Sequence, residues 1–188
     1  MNSKLTLRDI AGFCPEEAIW KMMTDVSAFL LSDNTSCHVT PESVAIDGTT
    51  FMIETGQESV DEFFAPEQIA SQKPGIKQMV WSLGAVAYYI ATGHVVFGGH
   101  GGVYQKEHPS VPLPVLQKDY QALTPILQKC LCYNPEERIS MKELSLLSQR
   151  GLNFCERQQR KKNIAIKEEQ KKEVKHIGEK WPEEMIEV

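Results

Sequence analysis

The longest apolar run of this chain, Met79 to Thr92, is interrupted by Trp81-Ser82 and stopped by Gly93. A bilayer span needs about eighteen consecutive apolar residues or more, so the run reads as a buried helix of a water-facing domain. A buried helix has to be wrapped by other elements. With 188 residues, 41% hydrophobic and 24% charged, the chain is long enough to supply them, and is read as one globular domain followed by a tail.

The net charge of −5 is unevenly spread. Residues 150–180 hold ten Lys and Arg against five Glu, a net +5; residues 181–188 add −3, which leaves −7 on the first 149. The chain therefore divides into an acidic domain over 1–149 and a charged helical or disordered tail over 150–188. Five cysteines, Cys14, Cys37, Cys130, Cys132 and Cys155, form no Cys-x-x-Cys pair, which argues against a disulfide framework and a zinc knuckle. The first eight residues lack the apolar core of a signal peptide. A reduced, cytoplasmic protein with no membrane partner is expected.

Leu5 to Ile10 reads as a short leading helix or strand. Pro15-Glu16-Glu17 then opens a helix to about Leu31, with Ala18, Trp20, Met22, Met23, Val26, Phe29 and Leu30 at helical spacing and Asp33-Asn34 at its end. Ser43–Ile46 and Phe51–Ile53 flank Asp47-Gly48, a hairpin signal. Gly93 to Pro114 is a loop by its glycine and proline content. Gln117–Cys132 and Ser140–Leu147 read as further helices, the second opened by Ser140 with Glu143 three residues on, a capping box. Arg157–Lys175 is helix-prone, with only Ile164, Ile166 and Val174 to bury.

Three segments agree in order and spacing: Ala65-Pro66-Glu67, Val80-Trp81-Ser82-Leu83-Gly84 and Asn134-Pro135-Glu136-Glu137-Arg138. Together they resemble the lower, C-terminal lobe of a protein kinase. The 62 residues before Phe63 hold neither a Gly-x-Gly-x-x-Gly loop nor a Val-Ala-Ile-Lys strand. The resemblance thus implies a mainly-α, C-lobe-like domain with a small β-hairpin and no N-lobe. Glu16-Glu17-Ala18-Ile19-Trp20 is similar to the opening helix of the kinase non-catalytic C-lobe domain (KIND), whose members bind partner peptides.

Laid over Pro41-Glu42 and Val44–Asp47, the resemblance puts the kinase proton-accepting aspartate on His38, the phosphate-contacting lysine on Thr40 and the metal-binding asparagine on Ser43. The magnesium-holding Asp-Phe-Gly falls on Glu54-Thr55-Gly56, and the aspartate that precedes the Trp-Ser pair and braces the catalytic loop is replaced near Met79. Phosphoryl transfer is positioning and charge neutralisation, so these replacements imply a pseudokinase with no catalytic residue, cofactor or metal. The resemblance also implies that Glu67 and Arg138 form the ion pair that fastens the Ala-Pro-Glu segment to the lobe. The expected function is a non-catalytic interaction module or scaffold whose acidic lobe binds a basic partner protein or peptide. The alternative is a minimal Ser/Thr kinase-like phosphotransferase whose ATP binding requires a separate N-lobe.

Other features point to less. Gly98-Gly99-His100-Gly101-Gly102 with Lys106 lacks the Gly-Lys-Ser/Thr ending of a phosphate loop and reads as a flexible surface loop. His94, His100 and His108 match no metal-ligand spacing. The basic tail interleaves lysines with Glu168, Glu169 and Glu173 and has no aromatic residue between Phe154 and Trp181. It is expected to be a solvated charged helix rather than a nucleic-acid arm.

Overall fold

The run around Trp81 forms the helix α2 (Ile76–Thr92), in which every residue from Met79 to Ala87 is buried. The computed structural model describes residues 5–32, 36–54, 61–68 and 72–178. The chain packs as two units, Met1–Leu152 and Asn153–Val188. The described residues are mainly α: five α-helices, four short 3-10 turns and a two-stranded antiparallel sheet.

In the first unit, α2 starts three residues before the apolar run, adding Ile76, Lys77 and Gln78, which stay at least partly open to water. The Gln78 side chain accepts the Gly75 N–H there. The helix stops at Gly93, whose N–H donates to the Tyr89 carbonyl at 2.7 Å. Against α2 pack α1 (Glu16–Ser32) and α4 (Thr124–Cys130). Helix α1 follows its periodicity, burying Ile19, Trp20, Met22, Met23, Val26 and Leu30. Asp33-Asn34 lies outside the described residues.

The hairpin pairs β1 (Val44–Asp47) with β2 (Thr50–Ile53). It is set one residue later than the Asp47-Gly48 signal implied, because Gly48, at φ 61, takes the first loop position instead of the second. The Asp25 carboxylate of α1 accepts the Phe51 N–H at 3.1 Å and holds Lys21 Nζ at 2.5 and 2.6 Å, which fastens β2 to α1. The leading segment bridges β1 through Thr6 and Ala45, then turns as a 3-10 helix over Leu7–Ile10.

Composition misled at three places. The glycine-rich stretch 93–114 contains a helix, α3 (Gly101–Glu107). The expected helix over 117–132 is a 3-10 turn at Lys118–Tyr120 followed by the shorter α4, since Pro125 lacks an N–H and is tolerated only in the first turn of a helix, so α4 begins beside it. Ser140 does accept the Glu143 N–H, at 3.1 Å, but the helix it opens, α5, runs over Met141–Gly178 instead of ending near Leu147.

Candidate functional site

The loop from Ser36 to Ser43 brings the kinase-equivalent positions to the entrance of the hairpin. Thr40 and Ser43 are buried and close a turn on each other. The Thr40 N–H donates to Ser43 Oγ at 2.9 Å, the Ser43 N–H to Thr40 Oγ1 at 3.2 Å, and Ser43 Oγ to the Thr40 carbonyl at 3.0 Å. Glu54 joins the same turn through its backbone, its N–H donating to the Ser43 carbonyl at 2.7 Å. Thr55-Gly56 lies outside the described residues.

His38, half-buried, stacks on Phe64, with ring centroids 4.6 Å apart and planes 28° from parallel. Burial disfavours the imidazolium and lowers the His38 pKa, against an opposing pull from the Asp61 charge. The loop thus rests on the segment that carries Ala65-Pro66-Glu67. Arg8 leads in from the other side: it pairs with Glu42, and its guanidinium lies 5.9 Å from the centre of the Tyr89 ring.

Glu67 meets Arg138 in a bidentate contact, Nη1 to Oε1 at 2.5 Å and Nη2 to Oε2 at 2.7 Å. The arginine side chain is fully buried, and the carboxylate is 30% exposed. Two buried hydrogen bonds brace the same region from α2. Ser82 Oγ donates to the Phe63 carbonyl at 2.7 Å, and Trp81 Nε1 donates to Gln105 Oε1 at 2.9 Å. Gln105 Nε2 passes the connection to the Leu131 carbonyl at 2.7 Å.

These contacts join the three sequence segments that carried the resemblance, and comparison with known families agrees: the family model of the protein kinase domain matches residues 48–147, more than half of the 188. The chain belongs to the protein kinase domain family. No curated protein matches it. The matched span of the kinase family takes in Glu54, Glu67 and Arg138 and leaves His38, Thr40 and Ser43 outside.

Within this kinase-family domain, sequence reasoning missed Gln105 and the two glycines before it. Gly101 and Gly102 press on the main chain leading to Pro66: an added Cβ would stand 1.9 Å from the Glu62 carbonyl oxygen at Gly101, and 2.0 Å from that of Phe64 at Gly102. The end of the stretch read as a flexible loop, Gly101-Gly102, is therefore packed closely against the Glu62–Pro66 main chain, while Gly98 and Gly99 stand in open space. His100, Tyr104 and His108 stack along α3, at 6.4 and 4.2 Å between ring centroids.

Proposed function

We propose that this kinase-family domain is a non-catalytic module, a pseudokinase akin to the kinase non-catalytic C-lobe domain, that binds a basic partner protein or peptide. The observation that carries the reading is the turn closed between Thr40 and Ser43. A kinase needs an ammonium at the first position to neutralise phosphate and an amide at the second to hold a metal ion. Two buried hydroxyls engaged with each other's backbone supply neither charge nor a free ligand. Met79, near the position of the bracing aspartate, is buried, which agrees with a loop that has no catalyst to orient.

The partner side of the reading rests on charge. The first 149 residues carry −7, and Asp61 and Glu62 stand exposed beside the loop. An acidic surface of this kind speeds and selects the docking of basic segments. Among the described residues no helix is long and apolar enough to cross a membrane, and none of the cysteines is joined in a disulfide; we place the module in the cytoplasm. Calorimetric titration of the chain tests the reading. Mg-ATP should give no saturable heat, while a Lys/Arg-rich helical peptide should bind and weaken as salt is raised. Saturable micromolar binding of Mg-ATP would overturn the non-catalytic assignment.

A further inference from the structure

The exposed part of α5 carries a feature that the kinase fold does not use. From Arg157 to Val174 every residue is exposed, and seven Lys and Arg stand against three Glu. At 3.6 residues per turn, Arg157, Arg160, Lys161, Lys167 and Lys171 fall on one face, with Ile164 in their midst and Glu168 as the single acid. Glu169, Glu173 and Lys162 fall on the opposite side. The stripe extends roughly 21 Å along the axis at 1.5 Å per residue. Of its cations, Arg160 is paired with Glu156, at 3.5 Å, and Arg157 caps the Asn153 carbonyl. Among the described residues Lys161, Lys167 and Lys171 have no acidic partner.

We propose that this stripe binds the phosphate backbone of a nucleic acid duplex without reading its sequence. A helix with side chains is about 10–12 Å across and fits a groove about 12 Å wide, and a duplex offers a charge every 1.7 Å or so. A rigid rod presents its lysines to that row at fixed intervals. The missing aromatic residues exclude the base stacking that single strands require, but duplex phosphates do not require it. An anionic membrane fits less well, because Ile166 lies far round the helix from Ile164 and no apolar face exists to enter the headgroup layer.

The test is fluorescence anisotropy of a labelled mixed-sequence duplex with the full chain, over a salt series from about 50 to 200 mM. Neutralising about three phosphates, one for each unpaired lysine, gives a slope of log K on log salt of about −2.7. Lys167→Glu should weaken binding about tenfold and Lys162→Glu, on the other side, less than about threefold. Both positions are exposed, so unchanged far-ultraviolet circular dichroism shows that the helix is retained. A slope near zero, equal losses from the two variants, or tighter binding to phosphatidylserine vesicles or polyglutamate than to the duplex would overturn the proposal.

Discussion

Arg138 gives its two terminal nitrogens to Glu67 and its remaining donors to three main-chain carbonyls. Those carbonyls belong to Cys132 at 2.7 Å, Tyr133 at 2.9 Å and Lys77 at 3.2 Å. A guanidinium has five N–H donors, and all five are matched. Lys77 returns the contact, its Nζ donating to the Arg138 carbonyl at 2.7 Å. One side chain thereby ties the segment around Glu67, the first turn of α2 and the stretch before α5.

Removal of either partner should cost unequally. Arg138→Met leaves a carboxylate without its cation and takes one donor from each of three carbonyls, and is expected to lower stability by about 3 kcal/mol or more. Glu67→Gln leaves the guanidinium buried but still held by carbonyls. Because Glu67 is 30% exposed, about 1–2 kcal/mol is expected there. Urea unfolding of the two variants checks the order; equal, sub-kilocalorie losses would count against the bridging role.

Gly102→Ala should destabilise the domain by about 2–3 kcal/mol, since its Cβ would meet a carbonyl oxygen of the Phe63–Glu67 segment and either α3 or that segment must move. Gly75→Ala is the comparison. Its Cβ would come no closer than 3.4 Å to the end of the flexible Gln78 side chain, and the cost should stay near or below about 1 kcal/mol. Thermal unfolding that ranks the two alike would contradict the close packing.

Restoring the kinase lysine by Thr40→Lys should fail to create a nucleotide site. Thr40 is 1% exposed and its hydroxyl accepts the Ser43 N–H, so the new ammonium would enter a closed turn without a counter-charge. A loss of about 3 kcal/mol or more is expected. A stable variant that gains Mg-ATP binding in calorimetry would show that the turn opens readily and that the pocket is latent.

What the sequence made legible was set by periodicity and by motifs that act in pairs. Helix α1 announced itself because its buried positions recur every three or four residues, and the Ala-Pro-Glu and Arg138 segments because they stand in a known order. Helix α3 stayed hidden because the glycines that composition reads as flexibility are there for close approach, which depends on where the Phe63–Glu67 segment comes to lie. Gln105 was hidden for the same reason. A polar residue in a presumed loop gives no sign that it will bridge Trp81 to Leu131 across the core. At the kinase-equivalent loop the identities of Thr40 and Ser43 were plain, but not that they would bond to one another.

His38 should make the domain less stable in mild acid. Its stacking on Phe64 removes water from the ring, so the folded state holds a proton less tightly than free histidine does. The unfolded chain then binds more protons through the interval below the ordinary histidine pKa of about 6.5. Stability contributed by the neutral ring is fully present above that value and is lost as pH falls toward the lowered folded pKa. His38→Phe keeps an aromatic ring against Phe64 and removes the titration. Urea midpoints measured near neutrality and again about two pH units lower should fall further for the parent than for the variant, the difference isolating this residue from the carboxylates that titrate alongside it. Parallel pH profiles would mean that the ring is hydrated in solution and that the stack on Phe64 does not persist.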